Sequence, residues 1–399
     1  MKIAYMNTVC KQNECSGCMA CVDICPVNAI NIQDNIEHMN AYINPETCIH
    51  CNACSNVCQC NHPSPLHEPV RWYQGWADKL IRERSSSGGF ATSIFRNFIM
   101  QGGVVASCKL MDGEYRFVLI KSLEGLNGVS GSKYVKSNPC GIYKEVKAQL
   151  VAGEKVLFLG LPCQVSSMKN YIGDQYAEKL YTIDLICHGT PSIKLLKKAL
   201  YEYGVDITQQ KEILFRRNSR FGLEADLKSI VPDGVSDFYS MAFLAGIDYT
   251  RNCYSCHYAT GNRVGDLTLG DSWGTEIYEE ESEGISLALA QTNKGMELLS
   301  MANLELRDVN LEKAKIPNTQ LRFPTEMTKE HDIFFRNFMR GKSFRWSVAC
   351  VWPKRCIKQE IKRILVKLHL YSGGEKIETY KIGCISSMDI DSSNGEKSI

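Results

Sequence analysis

Hydrophobic positions recur with two different periods along this chain, and the changes of period mark its elements. Near the N-terminus, Ala29-Ile30-Asn31-Ile32 and Ala41-Tyr42-Ile43 flank a polar turn at Asp34-Asn35, which predicts two short paired strands. Phe90, Ile94, Phe98 and Ile99 share one face of a predicted helix. Gly103 to Ser107 and Tyr115 to Ile120 read as strands around a turn at Asp112-Gly113. Two apolar runs, Lys155 to Gly160 and Leu180 to Ile186, have the length of buried strands. A helical region from Ser192 to Tyr203 then precedes a strand at Ile213 to Arg217. Strands alternating with helices predict a parallel sheet, so the fold class is α/β, or α+β overall once the N-terminal strands are included.

From about Ile316 the pattern fades, to return once. Over Lys354 to Leu370 the apolar residues Ile357, Ile361, Ile364, Leu365 and Leu368 share a helical face, with six Lys/Arg opposite or beside them. Such a helix either lies on a membrane surface or, more commonly, docks on its own protein. The Ser/Asp/Asn-rich end from about Ser386 is expected to be disordered. Three regions result: residues 1–70, residues 71–340 with the α/β alternation, and a C-terminal helical extension and tail over 341–399. The proline-rich stretch His62 to Pro69 reads as an extended linker between the first two.

Composition narrows the class. At 399 residues the chain has room for two or three domains, and a net charge of +2 with dispersed basic residues argues against a nucleic-acid partner. No window reaches the ~18 apolar residues of a membrane span; the richest, Phe238 to Ile247, is too short. Met1 to Cys10 carries no apolar core of signal-sequence length. The 19 cysteines therefore point to a cytoplasmic protein whose reduced thiols bind metal.

Eight of them are placed by spacing. Cys15, Cys18, Cys21 and Cys25 form one C-x2-C-x2-C-x3-C run, and Cys48, Cys51, Cys54 and Cys58 form a second. In this arrangement three thiolates wrap one cubane cluster and the fourth serves its neighbour. Cys15, Cys18, Cys21 and Cys58 are thus expected on one 4Fe–4S cluster, and Cys48, Cys51, Cys54 and Cys25 on the other. Zinc fits poorly, because its closed sites use two separated C-x2-C pairs. Gln59 stands where a proline commonly follows the last ligand, so the second turn is expected to differ in shape. His50, His62 and His67 lie near these ligands but read as solvent-facing polar residues.

The α/β region carries weaker signals. Ser85-Ser86-Ser87-Gly88-Gly89 opens a helix, where free N–H groups and the dipole suit a phosphate, although a plain N-cap explains the run equally well. Gly131 to Ser137 either wraps a cofactor, with Lys133 against a phosphate or ring carbonyl, or is a solvated loop. Cys163 and Cys187 follow the two buried strands, at the edge where α/β sheets place their sites. A catalytic Cys187–His188 pair is disfavoured, since neighbours on an extended segment point opposite ways. Cys253 and Cys256 are half of a metal site, zinc, redox or iron–sulfur; with Cys163 and Cys187 they would make a third four-thiolate set.

Taken together, Ser85 to Gly89, Gly131-Ser132-Lys133-Tyr134, Gly160 to Gln164, Asp184 to Gly189, and Cys253-x2-Cys256 leading to Gly270-Asp271-Ser272-Trp273-Gly274 resemble the beta-subunit family of coenzyme F420-reducing hydrogenases and dehydrogenases. The resemblance runs from about Arg71 to Phe338, with a dicluster ferredoxin-type module in front. It implies FAD, held by Ser85, Ser86, Ser87, Gly88, Gly89, Ser132, Lys133 and Tyr134, and a third 4Fe–4S cluster on Cys163, Cys187, Cys253 and Cys256. It does not carry over a substrate, since similar proteins reduce chlorophyll derivatives instead of the deazaflavin. The expected function is an FAD-dependent iron–sulfur oxidoreductase passing electrons between ferredoxin, or a partner subunit, and an organic hydride carrier. The alternative is a non-catalytic electron-transfer subunit of a larger complex. Cys10, Cys60, Cys108, Cys140, Cys350, Cys356 and Cys384 match no motif and are read as structural.

Overall fold

The computed structural model describes residues 7–217 and 220–370; Cys384 and the tail from Ser386 lie outside the described residues. Its centre is a mixed eight-stranded sheet. The strands are β3 (Arg71–Ala77), β4 (Val104–Met111), β5 (Glu114–Ile120), β6 (Val156–Gly160), β7 (Leu180–Leu185), β11 (Leu267–Asp271), β12 (Ser286–Ala290) and β13 (Leu304–Asp308). They run in the order β13-β3-β12-β11-β7-β6-β4-β5. β4, β6, β7 and β11 are mutually parallel, and antiparallel strands close both sides. Period-two alternation sorts the two faces. Val105 and Leu157 point to the helices Phe90–Met100 and Asn293–Met301, while Val104, Ala106, Val156 and Phe158 point to Ile142–Val151 and Pro162–Ile172.

A second core is rich in aromatic rings. The small antiparallel sheet of β8 (Ile213–Arg217), β9 (Arg220–Ala225) and β10 (Lys228–Ser229) packs with the helices Ile193–Glu202, Phe238–Leu244, Lys329–Met339 and Phe344–Val351. Phe334, Phe344, Val348 and Cys356 are buried with Tyr239 and Phe215 in this one cluster. Residues on both sides of the boundary expected at 340/341 share this cluster, so Phe344, Val348 and Cys356 pack with the region before them. The last helix, Pro353–Lys367, also departs from expectation: its apolar stripe faces outward instead of docking on the protein.

The N-terminal module holds β1 (Ile30–Asp34) and β2 (Met39–Ile43), paired antiparallel as expected. It is joined to the sheet domain by more than a tether. Cys18, Ala20 and Val57 belong to the same buried cluster as Tyr143, Met168 and Val264. The Asp23 carboxylate accepts the N–H groups of Gly141 and Tyr143 at 2.8 and 3.2 Å, at the start of the helix Ile142–Val151. The segment read as a linker is likewise fixed: Ser64 is buried on Ser166 and Asn170, and His67 forms a bridge with Arg263.

Candidate functional site

The two cysteine runs fold as copies of one another. Met19 and Asn52, at φ +62° and +58°, start the short helices Ala20–Ile24 and Ala53–Asn56. Gly17 and His50 donate backbone N–H groups to Cys15 and Cys48 sulfurs, each at 3.4 Å. Tight left-handed turns of this kind aim N–H groups at a thiolate. The eight thiols separate into two cavities. Cys15, Cys18, Cys21 and Cys58 line one, and Cys25, Cys48, Cys51 and Cys54 line the other. Among the described residues every cysteine is free of disulfide. The donor set, four thiols around each cavity with N–H groups directed at them, fits the cubane clusters that the spacing implies.

Two further thiols stand at the first of these cavities. Cys10 and Cys60 were expected to be structural, yet their sulfurs lie within 4.8 Å of each other and of Cys58. Gln59, in the expected proline position, is buried and links three parts of the molecule. Its amide donates to the Ser16 hydroxyl at 3.0 Å and its carbonyl accepts from the Tyr258 hydroxyl at 2.8 Å. Tyr258 lies two residues beyond Cys256. His50, His62 and His67 are exposed.

The structure also brings Cys163, Cys187, Cys253 and Cys256 to one cavity, of about 230 Å³. Cys163 sits in the first turn of Pro162–Ile172, directly after β6, and Cys187 follows the adjacent parallel strand β7. The pair Cys253 and Cys256 comes from the turn Arg251–Ser255 and its cap. A buried ion pair holds that loop to β7. Arg263 Nη2 meets Asp184 Oδ1 at 3.1 Å, with both side chains excluded from solvent, and Asp184 Oδ2 accepts the N–H groups of Val264 and Gly265. Burial pushes the Cys163 thiol well up and the Cys187 thiol to about 12, so in the absence of a compensating cation both are neutral. Lys136 supplies positive charge here. It is buried, lines this cavity, and its Nζ donates to the Ser16 carbonyl at 2.9 Å beside Cys15.

A larger cavity, about 280 Å³ and open to solvent, lies against the third cysteine set. Its wall is built from the α/β motifs other than the Cys253–Cys256 pair: Ser85–Ser87 and Gly89, Ser130–Tyr134, Leu159–Leu161, Ile186–Gly189, and Gly270, Asp271 and Trp273. The serine run opens the helix Phe90–Met100, but the plain N-cap reading fails, because Gly89 is the cap at φ +85° and no side chain bonds there. Instead Ser85 and Ser87 hydroxyls donate to the carbonyls of Ile81 and Ile285, and Ser86 Oγ accepts the Ser132 N–H. Gly88 permits a close approach, since a Cβ there would lie 2.3 Å from the Gly75 carbonyl oxygen. Lys133 lines the cavity, and its ammonium donates to the carbonyls of Val129, Ser130 and Gly131 rather than projecting free toward a phosphate. Burial lowers its pKa to about 8. Cys108, read as structural, lines the same cavity.

Two residues at this cavity have roles that the sequence reading missed. Arg216, on β8, is buried and bonds Asp271 at 2.5 and 3.0 Å, the Ser86 carbonyl at 2.8 Å and the Tyr134 hydroxyl at 3.3 Å. It thereby ties three separate motifs together. His188 was considered only as a catalytic partner of Cys187. Its Nε2 is buried without a hydrogen-bond partner, and burial lowers the ring to about pKa 4. His188, with Cys187, Gly189, Leu161 and Thr190, lines both this cavity and that of the third cysteine set. An orphaned imidazole nitrogen between the two calls for a polar ligand, which a flavin's ring edge or phosphates would supply.

Residues 14–62 match the 4Fe-4S dicluster domain, and residues 153–314 match the family described as coenzyme F420 hydrogenase/dehydrogenase, C terminus of the beta subunit. No curated protein matches the chain. Among solved structures it is similar to a chain of the xenon-derivatised F420-reducing NiFe hydrogenase complex from Methanosarcina barkeri. The identity is 18%, the TM-score is 0.45, and the match covers 64% of this chain and 90% of that one. No helix among the described residues is long and apolar enough to cross a membrane. The chain thus carries a segment similar to 4Fe-4S dicluster domains, followed by a segment similar to the C-terminal part of coenzyme F420 hydrogenase/dehydrogenase beta subunits, a pairing related to iron–sulfur electron transfer.

Proposed function

We propose that the protein is an FAD-dependent iron–sulfur oxidoreductase of a reducing, cytoplasmic compartment. It would exchange electrons between ferredoxin, or a partner subunit, and an organic hydride carrier. One observation carries this reading: four cavities form an unbroken row. Val9 borders both N-terminal cavities, Ser16 and Cys60 border the first of them and the third thiol set, and Cys187 to Thr190 border that set and the large cavity. When bound, the clusters pass single electrons and FAD pairs them as a hydride.

The residues of the chain supply the rest. Cys25, Cys48, Cys51 and Cys54 hold the outermost position, where Cys51 and Ile49 are exposed and accessible to a protein donor. Cys15, Cys18, Cys21 and Cys58 hold the second position, and Cys163, Cys187, Cys253 and Cys256 the third, with Lys136 between them offsetting added negative charge. Arg216 fixes the serine loop through the Ser86 carbonyl, and the free N–H groups and dipole opening Phe90–Met100 would hold a flavin phosphate. His188 Nε2, buried and unpartnered on the wall shared with the third position, would supply a polar contact to the flavin. The open mouth of the large cavity favours an enzyme over a closed electron wire, because hydride transfer needs an exposed flavin face.

Anaerobic purification with iron, sulfide, zinc and flavin quantitation on one sample tests the set. The expected result is about twelve irons, four for each cubane cluster, with one FAD. Reduced ferredoxin should then bleach the flavin absorbance, and a flavin that stays oxidised while the clusters are reduced overturns the reading.

A further inference from the structure

The helix Pro353–Lys367 packs on the protein through a narrow face. Cys356 and Gln359 are 2% and 5% exposed, Cys356 joins the aromatic core, and Gln359 Oε1 accepts the Ser236 N–H at 3.0 Å. The opposite side is apolar and bare. Ile357, Ile361, Ile364 and Leu368 are 59%, 51%, 53% and 60% exposed. Their spacing of four, three and four places them in one stripe, about 17 Å long at ~1.5 Å rise per residue. Scattered single hydrophobic residues are ordinary on a surface, but an aligned row of branched aliphatics marks a contact.

The charges beside the stripe say what kind. Lys354, Lys358 and Lys362 follow one flank at the same helical spacing, the last with its ammonium 3.4 Å from the exposed Gly234 carbonyl, and Lys367 stands near the C-terminal end. Glu360 is the one acidic residue of this helix, and it is already paired with Arg345 and with Arg363, the latter at 3.2 Å. Among the described residues, no carboxylate pairs with any of the four lysines. A bare aliphatic stripe bordered by unneutralised lysines, on a chain with no spanning helix among its described residues, has the chemistry of an in-plane interfacial helix.

We propose that this helix is a membrane-surface anchor. The stripe enters the acyl boundary of an anionic bilayer and Lys354, Lys358 and Lys362 reach its headgroups, which would hold the redox row at the membrane surface without a spanning segment. The helix lines none of the four cavities, so its test stands apart from the reading of cofactors.

Flotation of the full-length, anaerobically purified protein with vesicles tests this. Vesicles of phosphatidylcholine with phosphatidylglycerol are compared with phosphatidylcholine alone. The protein is expected to float with the anionic vesicles and to be released by salt. Replacing Lys354, Lys358 and Lys362 by Gln together should lower partitioning by roughly 100-fold, about fivefold for each lysine. Ile361→Glu with Ile364→Glu should abolish binding at unchanged iron content, since both side chains already face solvent. A wild-type protein that ignores both vesicle types overturns the proposal, as does binding that survives the double Glu variant. So does a dimer, seen by sedimentation without flotation, that this variant disperses, because it assigns the stripe to a second copy. Flotation appearing only after removal of residues beyond 370 would assign the stripe to the chain's own C-terminal segment, and overturns the proposal as well.

Discussion

Arg216 concentrates more of the large cavity than any motif residue. One guanidinium bonds Asp271, the Ser86 carbonyl and the Tyr134 hydroxyl, and lies 5.2 and 5.3 Å from the rings of Phe221 and Trp273. A planar fork with five donors serves several acceptors at once, and a lysine would not reproduce it. Arg216→Leu is expected to lower the flavin-to-protein ratio at least about tenfold with iron content retained, because it releases the serine loop and the Asp271 turn together. Flavin content equal to wild type would show that the loops hold their places without it. Lys136 acts at the same scale on the neighbouring thiol sets. Its charge favours the more negative, reduced state of nearby clusters, so Lys136→Met should lower the midpoint potential of at least one by roughly 50 mV. A redox titration followed by EPR reads this, and an unshifted set of potentials would show Lys136 to be only a tie to Ser16.

At the scale of elements, the carboxyl ends of β6 and β7 do what the strand pattern led us to expect. They deliver Cys163 and Cys187 to one edge of a parallel pair. What brings Cys253 and Cys256 to the same edge is Asp184, whose carboxylate holds Arg263 and two backbone N–H groups of the loop that follows them. Asp184→Asn leaves a buried guanidinium without its counter-charge, at a cost of about 3–5 kcal/mol. The expected outcome is a melting temperature several degrees lower by circular dichroism and an iron content reduced by about one cluster. Unchanged melting would show that the loop is held by its backbone bonds alone.

For the molecule as a whole, the cluster module and the sheet domain share buried surface. Cys18 accepts a hydrogen bond from Ser167 at 3.0 Å, the Tyr143 hydroxyl donates to the Cys18 carbonyl at 2.6 Å, and Ser64 is sealed on Ser166. The module is therefore expected to behave as part of one body. Limited proteolysis across 62–69 should release no fragment of residues 1–70 from the native protein, read by mass spectrometry; a stable cluster-bearing fragment would show a tethered module instead.

The spacing of eight cysteines and the apolar runs ending at Gly160 and Ile186 were legible in the sequence because they are local. A thiolate wrap and a buried strand each complete their geometry within a few residues. The same holds for the N-terminal strand pair and the helix Phe90–Met100. Convergence of distant segments was not legible. Arg216, Lys136, Gln59 and the orphaned His188 gain their roles from partners 43 to 199 residues away or from a shared cavity wall, and no local period encodes such contacts. The packing of residues on either side of 340 was not legible for the same reason, since Phe334 and Phe344 join Tyr239 only in the folded core. For the last helix, sequence established an amphipathic pattern that any apolar surface would satisfy. Only packing decided which side the protein itself covers, and it covers the side of Cys356 and Gln359, leaving the stripe outward.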